Sequence, residues 1–439
     1  MRGLLSGVAL FCVAIGVVQL GFLLFAGRRE TRRARARAAA PGGAAAEVVD
    51  AVFALVPALD EELVIEATVR GLLDQDDRLV VVVVDDASDD RTGELAAAVD
   101  PERVTVLRRS APFARLGKGP ALNAGIAEVR RVVAARGLDP ARVLVLVMDA
   151  DGRLSEGAVA QAARLFEDPG VGGAQLGVRM RNRSTNWITL VQDCEFWGVA
   201  ALGQMGRVST GTVSLGGNGQ FTRLQALDDL GRRPWSRSLT EDLDLAVSLA
   251  VRGWRLTSTP DAWVSQQAVE DLRGIVRQRT RWFQGHMTAA NHRLREVWSS
   301  RRLTNAAVLE LSSYLLIPYL MVLPWSILSQ ATVYYVATDL AAGRGRFEGV
   351  ALDRVQPLLV LAGWYLISFL PTIICGIVYS RRERRMPLLR SVAFAHLLLV
   401  WNYAMFVACW AALLRIWRGK TGWEKTRRLA EPTPEVLAA

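Results

Sequence analysis

The chain has 439 residues, 51% of them hydrophobic, and a formal net charge of +10 at pH 7. This hydrophobic share is higher than that of ordinary soluble domains. The positive charge does not indicate nucleic-acid binding, because the arginine groups border apolar runs, where anionic lipid head groups are the simpler counter-charge.

Four runs without a charged side chain are long enough to cross a bilayer, which needs roughly 20 helical residues. They cover residues 4–26, 311–338, 355–380 and 391–414. The first run is too long for the apolar region of a cleaved signal peptide, usually about 7 to 15 residues. Arginines follow this run and only Arg2 precedes it, so the positive-inside rule places the next segment in the cytoplasm. We therefore predict a multi-pass protein of the cell membrane.

Changes in composition and hydrophobic pattern along the sequence predict six segments. Residues 1–27 form a transmembrane helix, 28–47 a basic linker, 48–270 a cytoplasmic domain, 271–302 amphipathic helices at the membrane interface, 303–414 further transmembrane helices, and 415–439 a basic tail. Pro318 and Pro324 interrupt the first part of segment 303–414, which is compatible with a hairpin or re-entrant pair. Six basic residues at 415–428 favour a cytoplasmic tail.

From Val48 onward, short β-branched runs alternate with amphipathic helical patterns. Such alternation predicts an α/β, Rossmann-like domain with a parallel sheet covered on both faces. Ligands of such sheets bind beyond the carboxyl ends of the strands. Acidic residues fall at those ends.

The first two acidic loops are "VVVVVDDASDD" and "VMDADG". Asp85 and Asp86 can accept hydrogen bonds from a base or ribose, although such residues also cap helices. Asp149 and Asp151 suit Mg²⁺ or Mn²⁺, which prefer oxygen ligands, although an ordinary Asp-Gly turn is the alternative.

The third acidic cluster, "SLTEDLDLAVSL", follows a glycine-rich loop. Glu241, Asp242 and Asp244 suit the positive first turn of a helix, and one of them could serve as a general base. Upstream, Lys118 lies in a glycine-rich turn before a helix, an arrangement that favours phosphate. The surrounding sequence does not match a P-loop.

Residues 272–302 contain eight arginines and the single acid Glu296, mixed with apolar residues. This pattern predicts helices lying on a membrane surface, and a helix pair buried in the soluble domain is the alternative.

Seven motifs, in order, make the chain resemble the membrane-embedded family-2 glycosyltransferases, which include cellulose, chitin, hyaluronan and poly-N-acetylglucosamine synthases. They are "VPALDEE", "VVDDASDD", "GKGPALNAG", "MDADG", "GGNGQFTR", "LTEDLDL" and "QRTRW", over roughly residues 52–290. The resemblance implies a GT-A-like fold. Asp60 stands where the family often has Asn, and Ala87 where it often has Gly.

The resemblance also implies roles for particular residues. Asp85 and Asp86 would contact the uracil and ribose of a UDP-sugar, and Asp149 and Asp151 would form the Asp-X-Asp pair, with Asp151 as the preferred metal ligand. Asp242, beside Glu241, would be the catalytic base.

The remaining implied contacts involve phosphate and acceptor. Lys118, Gln278 and Arg281 would contact the donor diphosphate. Trp282 and the loop of Gly217, Asn218 and Gly219 would contact the acceptor. Gln278, Arg281 and Trp282 are spaced i, i+3, i+4, so a helix presents all three on one face.

The function implied is inverting, metal-dependent transfer to a growing polysaccharide by a processive β-glycan synthase, with membrane lipids around it and a possible accessory export subunit. A glycolipid synthase that adds one sugar to a lipid is the main alternative. A non-catalytic carbohydrate-binding subunit would predict decayed acidic motifs, and none of the acids is missing.

Overall fold

The computed structural model describes residues 2–39, 48–341, 356–383 and 386–420. Its strands are β1 (Ala51–Ala58), β2 (Leu79–Asp85), β3 (Val104–Arg108), β4 (Val143–Val147), β5 (Arg153–Leu154), β6 (Val171–Met180), β7 (Gln220–Arg223) and β8 (Arg255–Gln266). Together they form one sheet in the order β3-β2-β1-β4-β7-β6-β8-β5.

The helices surround this sheet and continue beyond it. Up to the end of the sheet they are α1 (Arg2–Ala39), α2 (Ile65–Leu73), α3 (Thr92–Ala97), α4 (Lys118–Ala135), α5 (Ala158–Leu165), α6 (Trp187–Asp193), α7 (Ala201–Arg207), α8 (Leu224–Asp228) and α9 (Glu241–Val251). They are followed by α10 (Leu272–Ser299), α11 (Asn305–Leu315), α12 (Leu323–Ala341), α13 (Gln356–Arg382) and α14 (Leu388–Trp417). A π-helical segment, Cys194–Ala200, joins α6 to α7.

The sheet brings the predicted acidic loops to one edge. β1 pairs in parallel with β2 and with β4, with Ala58 opposite Asp85 and Leu55 opposite Val147. β7 runs antiparallel to β4, with Gln220 opposite Val147, so the glycine-rich loop before β7 reaches the same edge. The parallel sheet expected from the sequence is therefore correct for β1 to β4 and for the pair β6 and β8. It is wrong for β5 and β7, whose antiparallel pairing makes the sheet mixed.

The valine-rich strands are buried on both faces. On one face they pack with α2 and α5, and on the other with α4, α8 and α9. Burial on both sides explains why these strands are continuously apolar rather than alternating. The loops at the strand ends are thus held by a rigid two-sided core.

The amino-terminal helix α1 is longer than expected. Residues 28–39, predicted as a linker, are helical, while residues 40–47 lie outside the described part of the chain. Gly27 allows α1 to approach α7 closely, because a Cβ there would lie 2.5 Å from the Leu202 carbonyl oxygen. Arg35 pairs with Asp261 at 3.2 Å, which ties α1 to the strand β8.

The four expected membrane spans have unequal support. Within the described residues, α14 is the one helix long and apolar enough to cross a membrane by itself. Asn305–Leu315 and Pro318–Ala331 would count as a second crossing if taken together, although they are bent by 58° at the break just before Pro318. Crossings at residues 4–26 and 355–380 stay predictions, as does the side of the tail, whose residues 421–439 are outside the description.

The predicted interface segment 271–302 contains one continuous helix, α10, rather than several. It packs against α14, α11 and α9, and its buried residues include Arg279 and Gln284. Arg415 of α14 donates to the Gln284 side chain at 2.8 Å. One side of α10 is therefore covered by protein.

Candidate active site

The first acidic loop begins where β2 ends. Asp85 is fully buried and accepts hydrogen bonds from the Ser88 backbone N–H at 2.8 Å and from Arg108 Nη1 at 3.0 Å. Asp86 accepts from Arg109 Nη1 at 2.5 Å, and burial raises the pKa of its carboxyl. The contacts of Asp85 stabilise the loop itself, and Asp86, which is 7% exposed, is the less buried of the two.

The second acidic loop follows β4. Asp149 is partly exposed, and its backbone N–H donates to Asn218 Oδ1 at 3.2 Å. Asp151 is 1% exposed, and its Oδ2 accepts from the Gln267 backbone N–H at 3.0 Å. The Asn218 side chain also donates to Gln266 Oε1 at 2.9 Å. Asn218, which the sequence predicts to contact the acceptor, is therefore buried and forms hydrogen bonds with both the Asp149 loop and the end of β8.

Lys118 connects the second loop to the glycine-rich loop. It is the first residue of α4, and its Nζ lies 2.5 Å from Asp149 Oδ1 and 2.5 Å from the Gly217 carbonyl oxygen. Burial disfavours its ammonium form, but its contact with Asp149 and the charge of Asp242 outweigh burial and raise its pKa. The ammonium is thus held among carboxylates.

Gly217 lies between this ammonium and the third acidic cluster. A Cβ at Gly217 would be 2.7 Å from Lys118 Nζ and 3.5 Å from Asp242 Oδ2. This position favours glycine, because a larger residue would displace the Lys118 ammonium from its contact with the backbone. The neighbouring Gly219 has φ +69° and packs against Val264, so it too needs to be glycine.

Glu241 and Asp242 open α9. Glu241 is buried, and burial together with the charge of Asp242 raises its pKa to about 8. Burial also raises the pKa of Asp242, against the opposing effect of Lys118. Asp242 Oδ1 accepts from the Leu243 backbone N–H at 2.7 Å. Asp242 is the less buried of the two, and its raised pKa suits a general base, which works best near the operating pH.

Helix α10 touches the start of α9. A Cβ at Gly285 would lie 2.5 Å from Thr240 Cγ2, so α10 packs directly on the residue before Glu241. Gly285 follows Gln278, Arg281 and Trp282 at helical spacing on the same face. The predicted motif face of α10 therefore lies against the same segment as the candidate base.

Trp282 is part of a packed cluster. The Arg279 guanidinium lies 4.3 Å from the Trp282 ring centroid, and Phe196 meets the indole edge-on at 5.9 Å. Arg279 is buried and pairs with Glu195 at 2.6 Å. Sequence reasoning missed Arg279 and Glu195, because nothing in the sequence separates Arg279 from the other arginines of α10.

The site fits a divalent cation that takes further ligands from its substrate. Within the described residues, no group of three His, Cys, Asp or Glu side chains could hold an ion alone. Mg²⁺ is often bound by one or two carboxylates plus substrate phosphates. Asp149 and Asp151 share one loop at the cleft and supply that donor chemistry, although Lys118 neutralises Asp149.

The mixed sheet and the acidic loops at the carboxyl ends of its strands agree with the α/β glycosyltransferase fold expected from the sequence. The sequence profile of the family described as "Glycosyltransferase like family 2" matches residues 50–285. The chain belongs to this family and is a glycosyltransferase.

Relatives within the family differ in their products. The chain is 30% identical over 280 residues to the beta-monoglucosyldiacylglycerol synthase of Synechocystis sp., covering 62% of this chain and 54% of the relative. It is 26% identical over 246 residues to the poly-beta-1,6-N-acetyl-D-glucosamine synthase of Staphylococcus aureus, covering 54% of this chain and 55% of the relative. The chain thus spans about half the length of the curated relatives it matches.

Among solved structures, the chain is similar to a mannosyltransferase from Pyrobaculum calidifontis in complex with GDP-Man and Mn²⁺. The TM-score is 0.49 at 19% identity, over 93% of this chain and 99% of that one.

Proposed function

We propose that the chain transfers a sugar from a nucleotide sugar to an acceptor hydroxyl with inversion at the anomeric carbon, and that Asp242 is the base. One observation carries this proposal: Lys118, Asp149 and Asp242 converge around the Gly217 backbone. At this sheet edge, a cation can bind the departing diphosphate, and an acidic group beside it can take the proton of the acceptor hydroxyl.

The donor side of the cleft consists of the two acidic loops and the nearby cations. Asp86, at the end of β2, would bind the nucleoside, and Lys118 with Arg281 would bind the diphosphate through charge-assisted hydrogen bonds. Mg²⁺ or Mn²⁺ held by Asp151, with Asp149, would stabilise negative charge on the leaving diphosphate. Lys118 leaves Asp149 when the diphosphate attracts its ammonium.

The acceptor hydroxyl gives its proton to Asp242 while its oxygen attacks the anomeric carbon. The bond from that carbon to the diphosphate oxygen breaks on the opposite side, so an α-linked donor yields a β-linked product. Glu241, with a pKa of about 8, is mainly protonated at neutral pH. It therefore adds little negative charge beside Asp242.

We propose a lipid hydroxyl as the acceptor, at a membrane that α14 enters from its cytoplasmic side. Two observations favour it: the similarity to a synthase named for a glucosyl lipid, and the Arg279 guanidinium over the Trp282 indole. An indole covered on one side is a poorer platform for a passing glycan chain. Processive polysaccharide synthesis, with an accessory export subunit, is the second candidate, and the similarity to a poly-N-acetylglucosamine synthase favours it.

The test is to incubate the purified full chain in detergent with a panel of radiolabelled UDP- and GDP-sugars. Diacylglycerol would be present or absent, and Mn²⁺ or EDTA would be added. We expect one sugar on the lipid, formed only with metal. A long glycan made without lipid would replace the lipid acceptor with the second candidate. Absence of transfer from every donor would contradict the proposal.

A further inference from the structure

A basic groove lies on the side of α9 away from the candidate base. Its volume is about 240 Å³, and it is bounded by the second half of α9, the second half of α10 and the segment before α9. Arg233, Arg252 and Arg293 line it, together with the hydroxyl-bearing residues Ser236 and Ser248. Both hydroxyls already donate to Asp244, so the guanidinium groups around this concave surface are the donors available to a phosphate.

The charges of this groove are not balanced internally. Arg293 pairs with Asp244 at 3.3 Å and with Glu296 at 3.0 Å. Glu296 is the acidic member of the groove lining, and it is engaged by this pair. Arg233 and Arg252 are exposed and form no ion pair with any residue in the described part of the chain. Two guanidinium groups therefore face the groove without a counter-ion.

The groove lies apart from the candidate active site, but the segment before α9 contacts both. Arg252 follows Asp242 by ten residues, which is roughly 15 Å along a helix rising 1.5 Å per residue. Ser236 Oγ donates to Asp244 Oδ2 at 2.5 Å, and the Ser236 carbonyl oxygen lies 2.0 Å from where a Cβ on Gly119 would be. Gly119 follows Lys118 directly, so the segment that borders the groove also contacts the start of α4.

We propose that this groove binds a phosphate group, held by Arg233 and Arg252. Guanidinium groups bind phosphate in a bidentate manner, and the size of the groove accommodates one such group with part of what carries it. The bound phosphate orders the segment 230–238. The phosphate belongs either to a free phosphorylated compound or to the head group of a membrane lipid. This site is independent of the glycosyl transfer proposed above.

The test uses the full chain in maltoside micelles with EDTA, so that a metal-dependent donor site takes no phosphate. One arm titrates inorganic phosphate by calorimetry. The other titrates phosphatidic acid, with diacylglycerol as the lipid that lacks phosphate. We compare the wild type with Arg233→Gln/Arg252→Gln and with Arg136→Gln, an exposed arginine at the end of α4 that has no side-chain partner among the described residues.

We expect saturable binding in at least one arm, and the arm that shows it identifies the source. Affinity should fall about tenfold or more per arginine removed in the double variant and stay unchanged in Arg136→Gln, since hydrogen bonds to charged groups are strong. Hydrogen exchange at residues 230–238 should slow on saturation in the wild type. No saturable binding in either arm, or binding that the double variant retains at full strength, would overturn the proposal.

Discussion

Gly217 shows how a residue without a side chain determines the geometry of the site. Replacing it with alanine would put a methyl group 2.7 Å from Lys118 Nζ, which must then leave Asp149 or the Gly217 carbonyl. A displacement of about 1 Å at a reacting group can cost on the order of 10² in rate. We expect Gly217→Ala to lower kcat/KM about tenfold to hundredfold in a transfer assay.

Gly216→Ala is the matched control. A Cβ at Gly216 would meet Gln175 Oε1 at 3.5 Å, an ordinary contact, so activity should change less than about threefold. Equal losses in the two variants would mean that the loop tolerates no side chain for reasons other than Lys118.

Glu241 gives the protein a pH-dependent stability. Its pKa is raised from 4.5 to about 8 in the fold, so the folded state holds the proton more tightly than the unfolded chain. The free energy of unfolding therefore falls as pH rises from about 4.5 to 8. Glu241→Gln removes this dependence, and its Tm relative to wild type should rise over that interval. The change in the free energy of unfolding is at most on the order of 5 kcal/mol, and thermal unfolding at pH 5 and pH 8.5 measures it.

Asp77→Asn changes an exposed acid, so its Tm difference from wild type should be the same at both pH values. If the Tm difference between Glu241→Gln and wild type were also the same at both pH values, the Glu241 carboxyl would be ionised in the folded protein at neutral pH.

At the scale of elements, α10 and α9 meet through Gly285 and Thr240. Gly285→Ala would place a methyl group 2.5 Å from Thr240 Cγ2 and push the helix away from the candidate base. We expect loss of transfer by about tenfold or more together with lower stability, since overpacking typically costs about 1 to 3 kcal/mol.

Thr240→Ala in the same chain removes the atoms that clash. The double variant should recover part of the lost activity, measured as a double-mutant cycle in kcat/KM. Additive losses would mean that the helix and the loop do not act on each other at this contact.

The elements also show what the sequence could and could not predict. The strands β1, β2 and β4 and their acidic ends follow from β-branched runs, which is a local signal. The antiparallel direction of β7 depends on how the chain returns across the sheet, which no local pattern records. Lys118 and Asp149 are 31 residues apart, so their ion pair follows from the packing of α4 against the sheet. Similarly, Arg279 differs from its exposed neighbours through tertiary contacts with Glu195, on the π-helical segment before α7, and with the Trp282 ring.

At the scale of the whole molecule, buried ion pairs join the catalytic domain to the apolar helices. Arg207 of α7 pairs with Glu310 of α11 at 2.6 Å, and its guanidinium lies 3.5 Å from the Tyr314 ring centroid. Removing one partner of a buried pair leaves the other charge buried without a counter-ion, which typically costs about 3 to 5 kcal/mol of stability. Glu310→Gln should therefore lower the Tm markedly in detergent.

Glu94→Gln is the comparison, since Glu94 forms an exposed pair with Arg91 and such pairs contribute about 0 to 1 kcal/mol. Similar Tm values for the two variants would show that α11 is not coupled to the domain through Arg207.

The central claim is that Asp242 removes the proton from the acceptor. The most direct measurement compares Asp242→Asn with wild type and with Asp77→Asn for donor affinity and for transfer in one preparation. The amide keeps the shape of the carboxylate and loses its basicity, so donor affinity should stay within about threefold while transfer falls by about 10² to 10⁴. Transfer by Asp242→Asn above a tenth of the wild-type rate would contradict the account.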